Sequence, residues 1–112
     1  MKIGVVGPCG AGKSTLIAAL KQYGYNCRHI VQEHSYVPEM WKIISNPDVL
    51  VFLDVSYKIS TKRRNLTWTI EEYKQELIRL QHAREHADIY IDTDPLTPKE
   101  VFEQVLASLK KT

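Results

Sequence analysis

Cysteine is nearly absent: Cys9 and Cys27 are the two in 112 residues, and no C-x-x-C pair or histidine cluster supplies a full set of zinc ligands. A disulfide framework and a structural zinc module are therefore not expected, and any metal is expected to be held by oxygen. No apolar run approaches the ~20 residues of a membrane span, and the single Lys2 before an interrupted apolar stretch is not a secretory signal. The expected setting is cytoplasmic, with no membrane partner. Charge of one sign is also lacking. Fifteen Lys plus Arg against thirteen Asp plus Glu leave a net charge of +2, too little to recruit nucleic acid or a membrane surface by charge alone. A chain of 112 residues can bury about two-thirds of its unfolded surface, enough for one core. A single domain over residues 1–112 is expected, without a separate substrate domain.

What the chain does contain is an alternation of strand and helix signals. Met1 to Val6 is a short apolar run that ends in the glycine-rich stretch Gly7-Pro8-Cys9-Gly10-Ala11-Gly12. From Lys13, the apolar positions Leu16, Ile17, Ala19, Leu20 and Tyr23 recur at helical spacing, and Gly24 supplies a stop. Tyr25 to Val31 reads as a second strand, with Tyr25, Cys27 and His29 on one face. Pro38 begins a short helix through Ile44, which Asn46-Pro47-Asp48 breaks. Val49 to Val55 is almost continuously apolar, as a parallel strand covered on both faces should be.

Tyr57 to Arg64 reads as a helix with a basic end. Thr69 followed by Glu72 is a capping box, and Ile70, Tyr73, Leu77 and Leu80 mark the buried stripe of a helix reaching about His86. Asp88 to Asp92 is a fourth strand. Thr97-Pro98-Lys99-Glu100 combines a second capping box with proline at the first helical position, ahead of the stripe Val101, Phe102, Val105, Leu106 and Leu109. Crossover-sized gaps between strands imply an α/β fold: about four parallel strands, in spatial order 2-1-3-4, flanked by helices in three layers.

Gly7-Pro8-Cys9-Gly10-Ala11-Gly12-Lys13-Ser14 satisfies G-x-x-x-x-G-K-[ST], and it sits after a strand and opens a helix, as its mechanism requires. Glycines let successive N–H groups converge on phosphate oxygens, and the positive end of the helix adds attraction. The expected ligand is a nucleoside triphosphate with Mg²⁺. Lys13 would lie on the β- and γ-phosphates, Ser14 would offer its hydroxyl to Mg²⁺, and Thr15 would cap the helix or contact the α-phosphate. Lys13→Ala is expected to remove most phosphate binding and leave the fold intact. Cys9 lies inside this loop, where the helix end would depress its thiol pKa unless it is there simply to fill space.

Such a site needs a carboxylate at the C-terminal end of a neighbouring strand. Asp54 closes the apolar run of the third strand, Glu33 follows the second beside Gln32 and His34, and Asp92 ends the fourth. Asp54 and Glu33 are taken together as the pair, with contact to the ion open between them. The alternative for each is a carboxylate that caps the next turn.

These blocks resemble the P-loop nucleoside and nucleotide kinases of the adenylate, thymidylate and shikimate kinase type. The resemblance rests on Gly7 to Thr15, on Pro47 to Ser56 followed by Lys62-Arg63-Arg64, and on Ala87 to Asp94 leading into Thr97 to Val101. It implies a basic lid over the donor phosphates, here residues 57–69 with Arg63 and Arg64. It also implies that the loop after the fourth strand, with Asp94 and Leu96, borders the adenine. A lid arginine suits the chemistry, because a bidentate guanidinium stabilises charge developing on the transferred phosphoryl group.

The chain departs from that family in having only residues 32–48 between its second and third strands, where an acceptor-binding insertion would stand. His34, Tyr36, Trp41 and Trp68 are the available contents of a reduced acceptor pocket, or else core and cover. Two functions follow. One is a small kinase-like phosphotransferase using Lys13, Arg63, Arg64 and Glu33 on an unknown compact acceptor. The other is a nucleotide-binding module or slow NTPase that acts on a protein partner. A guanine-reading [NT]-K-x-D motif is absent, so ATP is preferred over GTP; nucleic acid is not an expected partner.

Overall fold

The four strand signals pair into one all-parallel sheet in the order β2-β1-β3-β4. Strand β1 spans Lys2–Val6, β2 Asn26–His29, β3 Val49–Asp54 and β4 Ile89–Asp92. The computed structural model describes residues 1–64 and 67–111, the side chain of Arg64 excepted. The assignment of Arg64 to a lid thus lies outside the described residues, as do Asn65 and Leu66.

Helices cover both faces. On one, Ile3, Val5, Val51, Leu53 and Ile91 pack against Leu16 and Leu20 of α1 (Lys13–Gln22) and Val101, Val105 and Leu109 of α4 (Pro98–Lys110). On the other, Val6, Leu50 and Phe52 meet Leu80 and Ala83 of α3 (Ile70–Glu85), with Trp41 and Ile30 completing the layer. The result is the expected three-layer α/β architecture. Strand β3 is apolar at successive positions because consecutive side chains enter opposite cores. Both capping boxes form, Thr69 with Glu72 and Thr97 with Glu100, and α2 occupies Tyr57–Arg64. Among the described residues no helix is long and apolar enough to cross a membrane.

Two local expectations are corrected. The buried line of α3 runs through Glu76, Leu80 and Ala83, while Ile70 is exposed. The first turns of the helix are held instead by Tyr73, whose ring packs against Tyr57 and Trp68. In place of the helix expected over residues 38–44 stands a π-helical turn at Trp41–Ser45 that exposes Ile44, preceded by a 3₁₀ turn at Gln32–His34. Gln32 explains this: its buried amide accepts from Trp41 N at 2.7 Å and donates to Val37 O at 2.8 Å, so a side chain organises the segment in place of helix bonds. Strand β2 is the sheet edge that the order 2-1-3-4 implies, with Cys27 buried and His29 exposed.

Candidate functional site

The glycine loop leaves the end of β1 near the middle of the sheet and turns sharply over β3. A Cβ on Gly7 would lie 2.1 Å from the Leu53 carbonyl oxygen, and one on Gly10, where φ is 85°, would lie 2.9 Å from Ser60 Cβ. The chain can pass there only without side chains. Gly12 then caps α1 with no side-chain hydrogen bond and no acidic residue in the first turn, so the leading N–H groups of the helix have no acceptor from a cap. Cys9 to Thr15, with His29, Val31, Glu33 and His34, line a cradle of about 370 Å³.

Lys13 and Glu33 are the buried charges of this cradle, 7% and 3% exposed. Lys13 Nζ donates to Glu33 Oε2 at 2.5 Å, to Pro8 O at 3.2 Å and to Gly7 O. The ammonium is thus folded back on its own loop. Glu33 Oε1 is buried without a hydrogen-bond partner among the described residues, a costly state for a carboxylate oxygen. His29, at the same rim, has its pKa lowered by burial and then by the charge of Lys13.

Ser14 and Glu33 share the cradle, but the structure does not bring Asp54 to it. Asp54 accepts from Val55 N at 2.9 Å and from the Tyr90 hydroxyl, and its Oδ2 lies 3.8 Å from Arg84. Leu53 takes the α1/α4 side of β3, so Asp54 takes the α3 side, where it lines a groove with Phe52, Tyr73 and Arg84. Burial, reinforced by the charges of Asp54 and Asp94, pushes the Tyr73 hydroxyl up to about 12. Burial likewise raises Tyr90, together with its bond to Asp54. Asp92 accepts from Asp94 N at 3.1 Å and caps the turn that follows β4.

A second cavity, of about 290 Å³, adjoins the loop and is lined by Gly10, Gly12, Thr15, Leu16, Leu96 and Val101, with Arg63 and Thr93 at its polar side. Arg63 grips Thr93 with two nitrogens, at 2.9 Å to Oγ1 and 2.6 Å to the carbonyl, and reaches Gly10 O at 3.4 Å. It therefore ties the loop to the segment after β4. Leu96 borders this cavity. Asp94 does not; its carboxylate accepts from Ser56 N at 2.9 Å.

Sequence reasoning missed Glu76, which is buried on α3 and accepts from Cys9 N at 2.9 Å and from Cys9 Sγ at 3.1 Å. Its position, three residues after Tyr73 and four before Leu80, was the available signal, since it puts an acid in the apolar stripe. Glu76 also corrects the expectation for Cys9. Burial first, and then the bond to Glu76 and its charge, push the thiol up to about 11 rather than down. The four aromatic and imidazole groups assigned to an acceptor pocket are not assembled. Trp41 is core and donates to His82 Nδ1 at 3.1 Å, Trp68 donates to Thr61 at 2.9 Å beside α2, and Tyr36 lies exposed under Arg79. His34 alone faces the cradle.

No protein-family model matches the sequence, and comparison with curated proteins returns no match. The chemistry of the site therefore rests on its own residues.

Proposed function

We propose that this chain binds a nucleoside triphosphate with Mg²⁺ and acts as a small kinase-like phosphotransferase on a compact acceptor. The observation that carries the reading is that two spaces border the same stretch of loop. The polar cradle and the apolar cavity share Gly10, Ala11, Gly12 and Thr15. A triphosphate tail on the uncapped amides of α1 would thus leave its base against Leu16, Leu96 and Val101, and adenine suits that apolar lining.

Lys13 exchanges the carbonyls of Gly7 and Pro8 for phosphate oxygens. Ser14 and Glu33 fit the metal, since both line the cradle and Glu33 has a buried oxygen in need of a partner. When bound, Mg²⁺ supplies charge neutralisation between the phosphates. Arg63, which reaches Gly10 O at 3.4 Å, would leave Thr93 to meet charge developing on the transferred group. His34 and Glu33, on the side of the cradle away from the base cavity, are the groups available to orient an acceptor. The short connection between β2 and β3 favours the second reading, a nucleotide-binding module or slow NTPase, because no acceptor lobe stands there.

The test is calorimetric titration with ATP, GTP and ADP in Mg²⁺, then a phosphate-transfer assay over a panel of nucleosides and small alcohols. Acceptor-dependent loss of ATP is expected; release without acceptor would select the NTPase. Lys13→Ala, expected to spare the fold, would strand the buried Glu33 carboxylate, a loss of about 3–5 kcal/mol. The double variant Lys13→Met, Glu33→Gln removes both charges and should retain the fold while weakening ATP binding by more than about tenfold. Wild-type affinity in that variant would refute the assignment.

A further inference from the structure

Cys9, His34 and Glu76 each present a ligand atom, and the three atoms lie within 4.8 Å of one another. They come from separate elements: the glycine loop, the 3₁₀ turn after β2, and the middle of α3. Cys9 Sγ is 3.1 Å from Glu76 Oε2 and 3.9 Å from His34 Nε2. Around a tetrahedral zinc ion, with bonds of about 2.3 Å to sulfur and 2.0 Å to nitrogen or oxygen, ligand atoms sit roughly 3.3–3.5 Å apart. The two separations from sulfur bracket that spacing.

We propose that these residues form a binding site for Zn²⁺ or a similar borderline transition-metal ion, with the fourth position open to the cradle. A thiol, an imidazole and one carboxylate select this class over Mg²⁺ or Ca²⁺, which take oxygen ligands. Glu76 is 5% exposed and makes no ion pair among the described residues. Its hydrogen-bond partners are the Cys9 amide and thiol, and neither neutralises a buried carboxylate as a bound cation would.

The scaffold is built before any ion arrives. Gln32 Nε2 donates to Arg79 O at 3.2 Å, which fastens the turn bearing His34 to the helix bearing Glu76. His34 is exposed, so its ring can swing the last few tenths of an ångström. On coordination the Cys9 thiol loses its proton to solvent and the sulfur binds as thiolate, while His34 binds through Nε2 and carries a proton on Nδ1. Cys9 and His34 also line the cradle, so the open position faces the space where a water or an oxyanion would stand.

Titration of the full chain with Co²⁺, in buffer free of nucleotide and magnesium, separates this site from the nucleotide reading. A thiolate-to-cobalt charge-transfer band in the near ultraviolet is expected, with visible bands of tetrahedral intensity that Zn²⁺ abolishes. Cys9→Ser should remove the ultraviolet band with the circular dichroism unchanged, and Cys27→Ser should retain it. His34→Ala, a change at an exposed side chain, should weaken cobalt binding by more than about tenfold. Absence of the band in the wild-type chain, its survival in Cys9→Ser, or unchanged affinity in His34→Ala would overturn the proposal.

Discussion

A methyl group at Gly7 would have to occupy the place of a backbone oxygen. The Leu53 carbonyl is 2.1 Å from that position and belongs to a strand paired on both sides, so neither partner can retreat without breaking the sheet. Gly7→Ala should therefore cost about 3 kcal/mol or more. Gly24 makes the control, because its φ is 103° and nothing lies within 4 Å of a Cβ there. Gly24→Ala should cost only the left-handed strain, about 1 kcal/mol. Denaturant melts of the two variants check the contrast, and equal losses would show that the close approach at Gly7 is relieved. The same scale decides the character of the Cys9 thiol. A helix N-terminus favours a thiolate, but here burial and a carboxylate at hydrogen-bond distance outweigh it, and that carboxylate is sixty-seven residues away in sequence.

At the scale of elements, helix starts were legible and helix faces less so. A capping box involves residues three apart and needs no tertiary partner, so Thr69 with Glu72 and Thr97 with Glu100 form as the spacing implies. Thr97→Ala removes the bond from Glu100 N at 3.2 Å and should cost about 1 kcal/mol, lowering the melting temperature by roughly 4–8 °C. Thr97→Asn, which retains a capping oxygen, should recover most of that loss; failure to do so would mean Thr97 acts through packing. By contrast, the face that α3 buries depends on what lies opposite it. Ile70 is left exposed, whereas Glu76 reaches across to the glycine loop. Gln32 likewise reorganised residues 32–45 through bonds to Val37, Trp41 and Arg79 that no periodicity announces.

At the scale of the whole molecule, one corner joins β3, α3 and β4 through two tyrosines. Tyr73 donates to Val55 O at 2.7 Å, and Tyr90 donates to Asp54. Both hydroxyls have pKa values raised above the ordinary value of 10.0, Tyr73 to about 12. The folded state thus prefers the neutral phenols, so their contribution to stability is complete below pH 10 and is lost as the pH rises toward 12. Stability should fall over that alkaline window, and Tyr73→Phe should flatten the fall. Urea titrations at stepped pH measure it, and a profile in Tyr73→Phe as steep as that of the wild type would remove Tyr73 from the effect.

The sequence by itself determined the alternation of elements, the order of the parallel sheet, the caps, and the loop that crosses from β1 to α1. Each depends on residues adjacent in the chain or on the chirality of short crossovers, which act before distant segments meet. Only the tertiary structure decided which side chains face the loop. It turned Asp54 toward α3, paired Lys13 with Glu33, gave Arg63 to Thr93 and brought Glu76 to Cys9. Those choices follow from strand pleat, helix rotation and the need of buried polar atoms for partners, and these are properties of the packed molecule.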